Sequence, residues 1–169
     1  MIELLPDRAP VLLRPIRADD KRLLSEALRH LSPESTQRRF LAPKQSFTRA
    51  ELRYLTEVDG SDHLALVAES PAEPVRRLIA VARFVRLSDD PEAAEVAIVV
   101  GDHWQRRGLG SLIAAQLARE ARRRGIRRFT ATMAADNVPA HRLMEKLTHH
   151  LEQHHVGGGV DELVLDLAA

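Results

Sequence analysis

The chain has 169 residues, 44% hydrophobic and 29% charged, with a formal net charge of +1. That length suits one domain with a real core, and a net charge this small gives no bulk attraction to nucleic acid or acidic lipid. The sequence holds no cysteine, hence no disulfide, thiolate metal ligand or thiol nucleophile. No apolar run is long enough to span a bilayer and residues 1–6 show no signal-peptide pattern, so a single cytoplasmic domain over 1–169 is expected.

In chain order, residues 11–16 form a short strand with a proline near its end. Asp19 or Asp20 then caps a helix to about Leu31, with Leu23, Leu24, Ala27, Leu28 and Leu31 on one stripe. Ser32-Pro33 is an N-cap followed by proline at the first helical position, which starts a short helix to Phe40. Thr48 and Glu51 make a capping box for a third helix through Leu52, Leu55 and Val58, closed by Asp59-Gly60.

Three strands, 63–69, 78–85 and 92–100, joined by turns, read as an antiparallel meander. A helix from Leu109 to about Arg124 presents Leu109, Leu112, Ile113, Leu117 and Ala121 to the sheet. Gly125 ends it, and strand 127–133 becomes a parallel neighbour of 92–100. Asn137 or Asp136 caps a last helix through Leu143 and Leu147. A hairpin of 148–156 and 160–167 closes the order, turning at three glycines, 157–159.

The stretch Gln105-Arg106-Arg107-Gly108-Leu109-Gly110-Ser111 joins a strand to a helix N-terminus. The first helical turn has N–H groups with no internal partner and the positive end of the helix dipole. Glycines at 108 and 110 let an anion approach the backbone without meeting a Cβ, and Arg106 and Arg107 add charge at the rim, so the stretch reads as a pyrophosphate cradle. It is not a P-loop, because the lysines stand only at 21, 44 and 146. Nor is it a dinucleotide fingerprint, because the third glycine is missing. The bland alternative is a turn whose glycines merely allow tight packing.

The pattern Gln/Arg-x-x-Gly-x-Gly/Ala resembles the acyl-CoA pyrophosphate motif of the GNAT acetyltransferases. The meander, the parallel strand that follows, and Asn137-x-x-Ala140-x-x-Leu143 agree with that family over roughly residues 11–167. The resemblance implies the GNAT fold: an α/β (α+β) architecture with a mixed, mostly antiparallel sheet of about seven strands, flanking helices and a splayed parallel pair at the centre. It also implies a bulge in the strand before the cradle and acetyl-CoA as co-substrate, its pantetheine arm lying in the gap as an extra strand would. Val100 then offers its backbone N–H to the thioester oxygen, and Gln105, Arg106, Arg107, Gly108, Leu109, Gly110, Ser111, Asn137 and Ala140 complete the binding set. Within the family the chain is most similar to bacterial Pat-type protein-lysine acetyltransferases, on residues 31–35, Arg38-Arg39-Phe40, 62–68, 94–97 and Asp102-His103-Trp104-Gln105. Those relatives often carry a second domain, for which this chain has no room.

Transfer to an amine of pKa ~10.4 calls for a base. Glu95 is the one carboxylate in its apolar strand, shares a face with Ala97 and Val99, and matches the general base of the Pat-like relatives. Partial burial is expected to raise its pKa; the bland reading is a solvent-facing glutamate. His63 is the runner-up base, more simply read as a hydrogen-bonded strand-end residue. Glu57 and Asp62 are candidates for the acceptor entrance, or ordinary loop acids. Met144 stands where many members have the tyrosine that protonates the leaving thiolate. His149, His150, His154 and His155 invite a metal reading, but on a strand His150 and His154 lie ~13 Å apart, so no metal is assigned.

The expected function is an acetyl-CoA-dependent N-acetyltransferase whose acceptor is a protein lysine or a small-molecule amine, acting as a monomer or homodimer without nucleic acid or membrane. The alternative is a non-catalytic acetyl-CoA sensor, which the missing tyrosine favours and the retained Glu95 opposes. Nucleic-acid binding lacks a stacking platform, since aromatics are 4% of the chain.

Overall fold

A computed structural model describes residues 1–167. Its strands are β1 (Ile2–Leu4), β2 (Pro10–Pro15), β3 (His63–Glu69), β4 (Leu78–Arg86), β5 (Ala93–Val100), β6 (Arg128–Ala134), β7 (Leu151–Gly157) and β8 (Val160–Asp166). They form one eight-stranded sheet in the order β1-β2-β3-β4-β5-β6-β8-β7. All neighbours are antiparallel except β5 and β6. The helices are α1 (Lys21–Arg29), α2 (Pro33–Phe40), α3 (Arg49–Thr56), α4 (Leu109–Arg123) and α5 (Val138–Glu145). The strand beyond the seven expected is β1, three residues paired to β2 from Ile2↔Leu12 to Leu4↔Pro10.

The local signals that place the helices are present as side-chain bonds. Ser32 accepts from Ser35 N ahead of Pro33 in α2, and Thr48 and Glu51 form the reciprocal capping box of α3. Asp20 differs from expectation: it sits at the N-cap of α1 but makes no side-chain cap. Its carboxylate instead takes two bonds from Arg14, at 2.7 and 2.8 Å. Arg14 Nε also reaches Glu69 at 2.8 Å, so a buried ion cluster ties β2, β3 and the entry to α1 together. Three helices stop short of expectation, α1 at Arg29, α3 at Thr56 and α5 at Glu145.

The sheet separates two apolar layers. On one face α4 lays Leu109, Ile113, Leu117 and Ala121 against Leu64, Phe84, Val96, Phe129 and Leu165, with Met144 of α5 in the same cluster. On the other, Leu23 and Leu24 of α1 meet Ala65, Val67 and Val81, with Leu52 and Leu55 of α3 alongside. That second layer thins out past β5. Thr132 of β6 and Glu152 and His154 of β7, on the same face, are open to solvent.

The central pair separates as the resemblance implied, but not by the implied means. β5 and β6 are in register only at Ala93↔Arg128, Ala94↔Phe129 and Glu95↔Thr130. Beyond Glu95 they part, while β4 and β5 stay paired without a register shift from Arg86↔Ala94 to Ala80↔Val100. The expected bulge in β5 is therefore absent, and the only register shift on the β4 side of the sheet falls at Ala68/Glu69 of β3. β6 leaves β5 because it follows β8 along its whole length, from Arg128↔Asp166 to Ala134↔Val160.

Candidate active site

At the end of β5, Gly101 N donates to Ile79 O at 2.8 Å, and a single 3-10 turn over Asp102–Trp104 follows. Arg106 (φ 58) and Gly108 (φ 88) are both left-handed and turn the chain into α4. No side chain caps that helix, and its first internal bond runs from Leu112 N to Gly108 O at 3.0 Å. The N–H groups of Leu109, Gly110 and Ser111 therefore stay open at the positive end of a fifteen-residue helix.

The two glycines have different reasons. A Cβ on Gly108 would lie 3.0 Å from the Pro6 ring, so fold and φ both require glycine. A Cβ on Gly110 would make only ordinary contacts, 3.6 Å to Val100 and 3.8 Å to Leu143. Packing does not require glycine at 110, yet its bare backbone faces the groove. The tight-packing alternative thus covers half of the motif and not the other half.

The groove has a volume of about 710 Å³ and runs between α2, β5, the start of α4 and α5. Val100, Gln105, Arg106, Gly108, Gly110, Ser111, Asn137 and Ala140 all line it. So do Arg38, Arg39, Arg142 and Lys146, against only Glu34 and Asp102 of opposite charge, which makes it a cationic trough. Two expected members sit elsewhere. Leu109 is fully buried in the core and offers only backbone. Arg107 turns away, its guanidinium 4.2 Å over the Trp104 ring and its Nε 2.8 Å from Asp7. Gln105 works as a latch: its amide nitrogen donates to Val100 O at 3.0 Å and to Ser35 Oγ at 3.1 Å.

Asp102 completes the latch by accepting from Ser32 N, Ser32 Oγ and Ser35 Oγ at 2.7–2.9 Å. Burial works against its charge, but these hydrogen bonds outweigh it and hold the carboxyl below its ordinary pKa. The N-terminus of α2 is thereby tied to the turn before the cradle. This contact explains why residues 32–35 and 102 stand out together in sequence, a connection spanning about seventy positions.

Gly101 bonds to β4, so alternation turns the N–H groups of Val96, Ile98 and Val100 toward β6. Pairing with β6 ends at Glu95↔Thr130, which leaves the Ile98 N–H and C=O and the Val100 N–H facing the gap. The Val100 carbonyl is already taken by Gln105. An extended acyl chain that hydrogen-bonds like a strand fits this edge, and an anion fits the helix start at its mouth.

Glu95 stands at the closed end of the gap and on the face shared by Ala97 and Val99. It is solvent-exposed, not partly buried as expected, because α1 to α3 cover the sheet only as far as β5. His63, one row across the sheet through Val85, accepts from Arg83 Nη1 at 3.0 Å and lies 4.8 Å from the Tyr54 ring. Burial, then the Arg83 charge, lowers its pKa. A neutral imidazole whose lone pair is held by a guanidinium is a structural acceptor, in line with the simpler reading of this residue. Glu57 and Asp62 are likewise engaged, with Lys21 and Arg86, each at 2.7 Å.

In α5, Asn137 accepts from Ala140 N at 3.3 Å and so caps the helix that lines the groove. Met144 is buried in the core and brings no proton donor to the site. Among the C-terminal histidines, His155 bonds Asp161 at 2.8 Å, while His150 and His154 approach Glu152 at 3.3 and 3.6 Å. Among the described residues no helix is long and apolar enough to cross a membrane.

A mixed sheet that opens at one parallel pair, with an anion-binding helix start at the mouth, is the architecture of an acyl-CoA-dependent acyltransferase. The family model described as acetyltransferase (GNAT) matches residues 22–149, and the chain belongs to that family. The family's co-substrate is acetyl-CoA. The chain is 39% identical over 136 residues to acetyltransferase Pat of Mycolicibacterium smegmatis, covering 80% of this chain but only 40% of that relative. It superposes on the GNAT domain of S. lividans Pat with a TM-score of 0.88 and 29% identity, over 99% of this chain and 96% of that one. It also matches a cAMP-binding acyltransferase from Mycobacterium smegmatis with a TM-score of 0.69 and 32% identity, over 100% of this chain and 47% of that one.

Proposed function

We propose that the protein moves the acetyl group of acetyl-CoA directly to a primary amine, with Glu95 as general base. The observation that supports this reading is the end of β5–β6 pairing at Glu95↔Thr130: the exposed Glu95 stands where the two strands part, outside the groove lining itself, on the strand whose far end, Ile98 to Val100, lines the groove beside the cradle. The Gly110, Ser111 and Leu109 amides with Arg106 hold the pyrophosphate, and the β5 edge aligns the pantetheine arm. The amine nitrogen attacks the thioester carbon, a C–N bond forms and the C–S bond breaks. Glu95 takes the proton released from nitrogen, and the departing thiolate takes one from water.

Distance along β5 refines the donor roles. Val100 adjoins the cradle, since a Cβ on Gly110 would lie 3.6 Å from it. It is five residues, ~17 Å, from Glu95, whereas Ile98 is ~10 Å away. A thioester within reach of an amine on Glu95 therefore lies nearer the Ile98 N–H, which we assign to the developing oxyanion, and the Val100 N–H serves the arm. A buried Met144 leaves no side-chain acid, which a thiol leaving group tolerates, since a thiol pKa of ~8.5 makes the thiolate a stable product. Likeness to the Pat proteins favours a protein lysine as acceptor over a small-molecule amine.

The test is thiol release from acetyl-CoA with lysine peptides, polyamines and aminoglycosides, wild type against Glu95→Gln. Acceptor-dependent release that falls at least ~100-fold in the variant supports the reading. Saturable acetyl-CoA binding with no release for any amine would instead support a sensor, the reading that the missing tyrosine favours.

A further inference from the structure

Among the described residues, two arginines on the side of the sheet that carries Glu95 have no carboxylate partner. Arg83 of β4 is 6% exposed, and its Nη1 donates only to neutral acceptors, Leu55 O at 3.1 Å and His63 Nε2 at 3.0 Å. It lies on the Glu95 face, diagonal to it across the Val85↔Glu95 and Arg83↔Ala97 pairs. Arg39, in the last turn of α2, lines the groove beside Ile98 and Val99, with its guanidinium 4.8 Å over the Phe40 ring. Its neighbour Arg38 is paired, at 2.8 Å to Glu34.

Buried cations are normally matched by a carboxylate within contact distance, because desolvation otherwise outweighs what they gain. Here burial and Arg39's charge pull Arg83 down to about 10, and burial lowers Arg39 against the charge of Glu95. The charged and titratable groups around these two arginines are few. They are Glu95 from β5, which bears on Arg39, His63 from β3 and Tyr54 from α3, which bear on Arg83, and the paired Arg38 from α2 itself. β6 adds Thr130, Thr132 and Arg128 to this face, the last held by Asp90 at 2.8 Å, and Glu162 and Asp166 of β8 lie a strand further on. The balance is two cations against one exposed carboxylate.

We propose that Arg39, backed by Arg83, is a positioning residue of the acceptor site: carried by α2, which packs against both β5 and β6, it favours the neutral, attacking amine over the ammonium. An incoming ammonium meets net positive charge and so yields its proton to Glu95 more readily. The inference rests on Glu95 being the base. It also separates Arg39 from Arg106, Arg142 and Lys146, which face the same groove but lie outside the charge balance around Glu95.

The experiment is a set of pH profiles of kcat and kcat/KM between pH 6 and 10 for wild type, Arg39→Gln, Arg39→Met and Arg39→Lys, each checked by thermal melting. Loss of the cation should move the acidic limb of the kcat profile, which reports the bound amine, up by ~0.5–1 pH unit, with the kcat/KM limb in place and KM for acetyl-CoA within about twofold of wild type. Arg39→Lys should restore the limb. Arg39→Met gives the same reading if the glutamine variant melts early. A kcat limb that stays in place in both neutral variants, or a loss confined to KM for acetyl-CoA, would overturn the inference and make Arg39 a phosphate ligand. Glu95→Gln is the control for the reading beneath: full activity in that variant removes the base and this inference together, whereas a collapse there with an unmoved Arg39 limb removes this inference alone.

Discussion

Asp7 Oδ2 and Arg107 Nε stand 2.8 Å apart, although a hundred residues separate them in the chain. Asp7 lies in the turn between β1 and β2, where its Oδ1 also accepts from Ala9 N at 3.0 Å. Pro6 of the same turn is the group that a Cβ on Gly108 would meet. The edge turn thus braces the cradle from behind. The pair is half-exposed and screened by solvent, so the brace acts through position more than through stability. Asp7→Asn should raise KM for acetyl-CoA ~2- to 4-fold and leave kcat unchanged, and an equal fall in kcat would show that the brace acts on more than binding.

The glycines of the cradle should separate stability from binding. Gly108→Ala places a Cβ at φ 88 and against Pro6, and should cost on the order of 1–3 kcal/mol of folding stability as well as acetyl-CoA binding. Gly110→Ala meets only ordinary contacts and should melt within ~2 °C of wild type. Gly110→Leu should also fold yet bind acetyl-CoA at least tenfold more weakly, because its side chain enters the groove. Calorimetry with a binding titration reads both quantities, and normal binding by the leucine variant would place the ligand elsewhere.

His63→Gln addresses the runner-up base. A glutamine oxygen can accept from Arg83 as the imidazole does, so kcat should stay within about threefold of wild type. A ~100-fold loss would return the base role to His63.

The cluster of Arg14, Asp20 and Glu69 sets an acid limit on stability. For both carboxyls burial opposes ionisation, but bonds from Arg14, joined by Arg17 N on Asp20 and by Arg76 on Glu69, hold the pKa below its ordinary value. Their contribution is therefore present above the unfolded values of ~3.9 and ~4.3 and is lost as pH falls through the lower folded ones. Arg14→Met leaves two buried carboxylates short of a partner and should cost ~3–5 kcal/mol at pH 7. It should also move the acid-unfolding midpoint to higher pH, as circular dichroism against pH would read. An unmoved midpoint would mean that another group governs acid unfolding.

What could be read in the sequence was mostly local. Ser32-Pro33 and the Thr48–Glu51 box are complete within four residues, and the cradle lies within seven, so neither needs knowledge of the rest of the chain. β1 is not legible because its three residues carry no periodicity, and its support comes from a partner strand six to ten positions on. Period-2 alternation placed Glu95 on its face correctly but says nothing about what covers that face, and the helical layer ends just there. Arg39 and Arg83 show the same limit. Arginine is common throughout this chain, and only tertiary packing reveals that these two lack the carboxylates that Arg14, Arg38 and Arg86 possess.

The parting of β5 and β6 also ties folding to metabolism. Ala97, Val99 and Gly101 bond to β4 on one side of the strand, while the Ile98 and Val100 N–H groups wait on the other for a partner that the described residues do not supply. A ligand that completes this rung binds the native state alone, so it adds ~2.7 kcal/mol at a hundredfold excess over its Kd. Hydrogen exchange at those two amides should slow in step. A cell rich in acetyl-CoA would then hold a longer-lived, more protease-resistant population of this protein than a starved one, with no change in its synthesis.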